Sequence, residues 1–151
     1  MLFQKKYLIG QELVRRSLIT QDDLDMALIE HERKGEKLGK ILVAGGFISE
    51  DDLLTVLSDQ LSLPIYRIHE TEIDNNILER IPKRIARKYK VIPVAEDNTS
   101  LTICMSEPLE QKIINEIQEN VDKKISVVMD SDKHLVQAVR KYYGLTEEDD
   151  L

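Results

Sequence analysis

The sequence predicts an α+β fold: a helical N-terminal subdomain of two tandem helix-pair repeats (1–62), then a small α/β subdomain with a three- to four-stranded sheet (63–145) and an acidic tail (146–151). Three observations predict it. Residues 8–31 recur position by position at 37–60, an offset of 29 throughout, and a tandem pair of this length places two similar surfaces side by side. Beyond Pro64 the apolar spacing changes from helical to short apolar runs punctuated by turn residues. Hydrophobic residues are 42% of 151 and charged residues 32%, which suffices for a packed core under a well-solvated surface.

In the first repeat, Leu8, Ile9, Leu13 and Val14 form an apolar stripe, followed by Leu18 and Ile19. Thr20-Gln-Asp-Asp23 starts a second helix with a hydroxyl cap and early acids that complement the helix dipole. Leu24, Ala27 and Leu28 share one face, and Gly35 is a stop signal. The second repeat follows the same layout, with Leu38, Ile41, Leu42 and Val43, the stop Gly45-Gly46, a cap at Ser49, and a helix carrying Leu53, Leu54, Val56, Leu57 and Leu61. The repeated leucine pairs are most simply core residues.

Past Pro64, Ile65–Ile68 reads as a short strand. Asp74 caps a helix with Ile77, Leu78 and Ile81, and Pro82 fits the first turn of another with Ile85, Ala86 and Tyr89 inward. Val91–Ala95 is a strand that Pro93 restricts to an edge or a bulge. Asp97–Ser100 turns into the return strand Leu101–Met105. Pro108 opens a helix with Leu109, Ile113, Ile114 and Ile117, and Ile125–Val128 is a further strand. Asp130 caps a last helix burying Leu135, Val136, Val139 and Tyr143, with Gly144 at its end and a mobile tail after it.

Several function classes are disfavoured. A net charge of −7 argues against a general nucleic-acid surface. The basic cluster Lys83, Arg84, Arg87, Lys88 and Lys90 reads as a solvated helix face or as a contact for an anionic partner, and no aromatic residues interleave it as a base-stacking platform requires. The single cysteine, Cys104, lies between Ile103 and Met105 and reads as a small buried hydrophobe, and its isolation suits a reducing compartment. His31, His69 and His134 are scattered, without metal-ligand spacing. There is no phosphate loop of the form G-x-x-x-x-G-K-[ST]. No apolar stretch approaches the roughly 18 residues of a membrane span. The expectation is a cytoplasmic, non-catalytic, metal-free domain without a cofactor, touching a membrane only through partners.

The repeat resembles the tandem motif of the MshEN domain, found in the N-terminal region of type II secretion and type IV pilus assembly ATPases (the GspE and PilB group). That motif runs Arg-Leu-Gly, two spacers, two aliphatics, two spacers, Gly, two aliphatics, four spacers, Leu, three spacers, Leu, two spacers, Gln. The second copy matches except for Lys37 at the Arg position, whereas the first has Leu8 at Arg, Ile9 at Leu, Ser17 at the second Gly and His31 at Gln. The likeness continues through Leu63-Pro64, Ile81-Pro82, Lys90–Pro93, Leu101–Pro108 and Val139–Tyr143. In that family the region precedes an ATPase engine, so the resemblance implies a domain cut from, or paralleling, the front of a longer enzyme. The resemblance further implies a parent enzyme that is hexameric through its engine, with this piece alone expected to be monomeric.

The resemblance implies two activities. One is docking to an inner-membrane platform protein, either the cytoplasmic part of a GspL-like protein or a pilus adaptor. The other is cyclic di-GMP sensing, one repeat for each half of the ligand. Carried over, the second half-site is Lys37, Leu38, Gly39, Leu42, Val43, Gly46, Phe47, Ile48 and Gln60, and the first is Leu8, Ile9, Gly10, Leu13, Val14, Leu18, Ile19 and His31. In that scheme the Arg position grips guanine or phosphate oxygens, the following Gly admits close backbone approach, aliphatics cover the bases and Gln bonds a base edge. Lys37 keeps the charge but lacks the planar fork, and Leu8 offers neither charge nor donor. The alternative is that both repeats serve as packing units only.

Overall fold

The computed structural model describes residues 2–106 and 111–144, with side chains from Ile9 onward. Contacts divide the chain into two compact units, Met1–Ser62 and Leu63–Leu151. Among the described residues are eight α-helices and a three-stranded mixed sheet.

The first unit consists of α1 (Leu2–Arg15), α2 (Gln21–Lys34), α3 (Leu38–Ala44) and α4 (Glu50–Leu61). The two repeats close their first helices with the same backbone bonds. After α1, Ser17 N–H donates to Val14 O at 2.9 Å and Leu18 N–H to Leu13 O at 3.0 Å; after α3, Gly46 N–H donates to Val43 O and Phe47 N–H to Leu42 O, both at 3.0 Å. This paired closure satisfies the last carbonyls of each helix and turns the chain through one left-handed residue, Ser17 (φ 60°) or Gly46 (φ 76°). The next helix then starts on a hydroxyl cap: Thr20 Oγ1 accepts from Asp23 N–H and Ser49 Oγ from Asp52 N–H, each at 3.1 Å. Asp23 also accepts from Thr20 N–H, completing a capping box at α2.

These turns bring the apolar stripes together. α1 packs against α2 and α4, and α2 against α3. Leu13, Ile19, Leu24, Ala27, Leu38, Leu42, Ile48 and Val56 form one core, in which Leu13 and Leu42 are fully buried. Glu12 ties this surface together: Arg15 and then Arg16 donate to its carboxylate and hold its pKa down to about 2, and Arg16 also reaches Asp59 on α4 at 2.9 Å.

The second unit contains α5 (Asn75–Leu78), α6 (Lys83–Tyr89), β1 (Ile92–Glu96), β2 (Ser100–Met105), α7 (Gln111–Gln118), β3 (Lys124–Met129) and α8 (Asp132–Tyr143). The sheet order is β1-β2-β3, with β1–β2 antiparallel and β2–β3 parallel. Pro93 lies on an edge strand beside an irregularity between Pro93 and Ala95, where a missing N–H does least harm. The core gathers Ile85, Val91, Ile92, Leu101, Ile103, Cys104, Ile117 and Leu135.

Three local expectations are corrected. Ile65–Ile68 is not a strand: Ile65 makes a single parallel bridge to Met129, and Ile68–Glu70 is a 3-10 turn. Ile68 N–H is shared between Asp130 Oδ2 and Tyr66 O, both at 3.0 Å, and so does not enter the ladder. Asp130 is likewise not the cap of α8; Ser131 is, accepting from His134 N–H at 3.3 Å, while Asp130 is buried. Pro82 precedes α6 as its N-cap rather than sitting in the first turn. Pro108, Leu109 and the tail 146–151 lie outside the described residues.

The β1–β2 turn depends on one carboxylate. Asp97 Oδ1 accepts from Thr99 N–H at 2.8 Å and Ser100 N–H at 2.7 Å. These donors, Thr99 first, hold Asp97 down to about 2. Because the folded pKa lies below the unfolded one, this stabilisation is present above about pH 4 and is lost as pH falls toward 2. Urea midpoints at pH 7 and pH 3 will therefore differ less in Asp97→Ala than in the parent chain; an equal drop in both would deny Asp97 this role.

Candidate functional site

The residues that the motif singles out fall into two classes in the first unit. Leu13, Ile19, Leu38, Leu42 and Ile48 are buried, 0–7% exposed, and hold helix to helix. Gly10 is also buried, and a Cβ there would lie 2.6 Å from Leu24 Cδ1. At Gly39 a Cβ would lie 2.8 Å from Leu53 Cδ2. The close approach these glycines permit in the structure is that of the leucine from the following helix, in the same way in each repeat.

The remaining positions reach the surface. Ile9, Val14, Leu18, His31, Gly39, Val43 and Phe47 are half-buried, and Lys37, Gly46 and Gln60 are exposed. Equivalent positions thus present Val14 with Leu18 from one repeat and Val43 with Phe47 from the other. The left-handed backbone at Gly46 has nothing within 4 Å of where a Cβ would stand, so another molecule can reach the peptide there. Lys37 occupies the N-cap of α3 without a side-chain cap bond. His31 Nδ1 contacts Glu36 O, which restrains its ring beside the end of α2. The side chain of Leu8 lies outside the described residues.

Two features escaped the motif. Arg16 sits at a spacer position, yet folding places its guanidinium between Glu12 and Asp59, only 29% exposed. In the second unit His69 and His134, 65 residues apart and read as scattered, have ring centroids 4.2 Å apart, with Asp130 beside them. Only tertiary structure unites these side chains, so no spacing rule finds them.

Other candidates resolve into structure. Arg87 donates through Nε to Gly144 O at 3.2 Å and also to Tyr143 O, closing the end of α8. Lys90 meets Asp132 at 3.4 Å, and Lys88 lies 5.0 Å from the Tyr89 ring centre. The basic cluster is therefore partly engaged within its own unit. Burial pushes the Cys104 thiol pKa well up, with Asp130 adding to the shift, so the nucleophilic thiolate is disfavoured. A cleft of about 150 Å³ lined by Arg80, Glu96 and Lys123 is small for an organic ligand, for which pockets run about 300–1,000 Å³. Its carboxylate is already held by Arg80 and Lys123, which lower its pKa. No helix among the described residues is long and apolar enough to cross a membrane.

Comparison with known proteins bears on both units. The MshEN domain family profile matches residues 61–149. The type IV pilus assembly ATPase PilB of Myxococcus xanthus is 29% identical over 90% of this chain, which spans 24% of that protein. Bacteriophage adsorption protein B of Escherichia coli K12 is 24% identical over 90% of the chain and 18% of its own length. The structure of MshE with cdg (cyclic di-GMP) superimposes with a TM-score of 0.80 and 28% identity, covering 89% of this chain and 98% of that one. The family profile thus rests on the second unit, whereas the PilB and MshE likenesses extend over most of the chain.

Proposed function

This chain belongs to the MshEN domain family, and from that premise we propose that it is a non-catalytic regulatory domain of a secretion or pilus assembly ATPase that recognises cyclic di-GMP through its paired repeats. It is homologous to the N-terminal domains of such ATPases and spans about a quarter of PilB. The observation that carries the proposal is the equivalence of the two hairpins, which share their closing bonds and caps. A ligand made of two like halves is matched by a surface made of two like halves. The half-buried Val14, Leu18, Val43 and Phe47 supply apolar cover, and the open backbone at Gly46 supplies approach. Lys37 and Gln60 are the exposed polar groups at motif positions in the second repeat.

Titration calorimetry with cyclic di-GMP tests this. A hydrogen bond to a charged group is worth about 1.5–3 kcal/mol, so Lys37→Ala is expected to weaken binding by roughly ten- to a hundred-fold. Leu8→Arg, which restores the motif residue, should tighten it by a similar factor. A dissociation constant weaker than about 100 μM, or affinities indifferent to both substitutions, would defeat the proposal.

A second reading, docking to an inner-membrane platform protein, draws on α2. Met26 and Ile29 stand one turn apart, 59% and 65% exposed. Exposed apolar side chains at helical spacing suit a helix laid against a partner groove. Capture of a GspL-like cytoplasmic domain or pilus adaptor, lost in Met26→Asp/Ile29→Asp, is the outcome this reading requires.

A further inference from the structure

We propose that His69, Asp130 and His134 form a binding site for a divalent transition metal ion of the zinc class. Each offers one ligand atom, and the three atoms lie within 4.8 Å of one another. The residues come from different elements of the second unit: His69 from the 3-10 turn Ile68–Glu70, Asp130 from the end of β3, and His134 from the first turn of α8.

The second-unit fold fixes two of the three. Asp130 is completely buried, and its carboxylate is oriented by Ile68 N–H at 3.0 Å on Oδ2 and Ser131 N–H at 2.7 Å on Oδ1. His134 Nδ1 lies 2.8 Å from Asp130 Oδ1, and its side chain is 22% exposed. His69 closes the group from the solvent side, 43% exposed, its ring tilted 38° to that of His134. Its Nε2 is 3.7 Å from Glu70 Oε1. Two imidazoles stacked this closely repel one another when both are protonated, whereas their neutral forms present lone pairs that a shared cation satisfies.

The chemistry selects the ion. Two imidazole nitrogens and one carboxylate are ligands for zinc and its neighbours, whereas magnesium and calcium favour oxygen alone. Bonds of about 2.0–2.2 Å in a tetrahedron set ligand atoms roughly 3.3–3.6 Å apart, so the exposed His69 moves inward and the 2.8 Å contact between His134 and Asp130 opens. A cation competes with protons for the imidazole nitrogens, so uptake weakens in acid. The positive end of α8 opposes a cation with about half a charge, and the full negative charge of the buried Asp130 outweighs it. Bound metal would pin the 3-10 turn to the start of α8.

The test is Zn²⁺ titration of the full chain by calorimetry, with Co²⁺ absorption as a second readout. We expect one ion per chain with a dissociation constant of about 10 μM or tighter. His69→Ala, at an exposed position, should weaken binding at least tenfold and reduce the Co²⁺ bands, and His134→Ala should do the same. His31→Ala, in the other unit, should change neither. No uptake at about 1 mM Zn²⁺ would overturn the proposal, as would His69→Ala and His31→Ala behaving alike. Should His134→Ala fail to fold, His69→Ala alone decides.

Discussion

Leu13→Ala and Leu42→Ala are each expected to destabilise the repeat unit by about 2–5 kcal/mol, the usual range for emptying a fully buried leucine. Both side chains are 0% exposed and occupy the same position in their repeats. Each lies in the last turn of its helix, where its own carbonyl accepts the bond that closes the turn. Truncation therefore leaves a cavity beside the residue that sets the hairpin angle. A core this small supplies only about 3–5 kcal/mol in total, so either substitution should unfold much of the unit near physiological temperature. Urea titration followed by circular dichroism measures this, with Met26→Ala, at a 59% exposed position, as the surface control. Losses below about 1 kcal/mol at both leucines would mean that the two hairpins do not depend on a common core.

Asp130→Ala is expected to cost about 3 kcal/mol, because it removes a buried acceptor whose charge-assisted bonds are worth about 1.5–3 kcal/mol each. Ser131 N–H has Asp130 Oδ1 as its 2.7 Å partner, while Ile68 N–H is shared between Asp130 and Tyr66 O at 3.0 Å. The loss should therefore be concentrated at Ser131, where α8 begins. Asp130→Asn, which retains one oxygen acceptor, should lose less. Amide exchange at Ser131 and Ile68, alongside denaturant midpoints in metal-free buffer, separates local from global effects. Unchanged protection at Ser131 in the alanine variant would show that the carboxylate is not what holds the helix start.

The α+β class was legible because its signals are local. Leu24 with Ala27, and Ser49 with Asp52, carry period and cap within a single turn of helix. Pro93 announces an edge or bulge by the bond it cannot make. The errors arose where a distant group intervenes. Ile65–Ile68 has a strand's composition, but Ile68 N–H is shared between Tyr66 O and a carboxylate 62 positions away. Asp130 and Ser131 are both good cap residues, and only burial of the aspartate decides between them. The motif likewise mixes two kinds of position that sequence cannot separate: Leu13 and Leu42 are interior, whereas Val14 and Val43, one residue on, reach the surface. The pairing of His69 with His134 was illegible for the same reason, since their approach is created by β3 and α8 meeting the 3-10 turn.

The corner between paired helices is left-handed in both copies, occupied by serine once and glycine once. A side chain in such backbone costs roughly 1 kcal/mol, so duplication has left one molecule with both versions of the same joint. Exchanging the two residues turns the chain into its own reference standard: whatever the serine-bearing copy tolerates in strain can be weighed against its twin, under one solvent and one temperature.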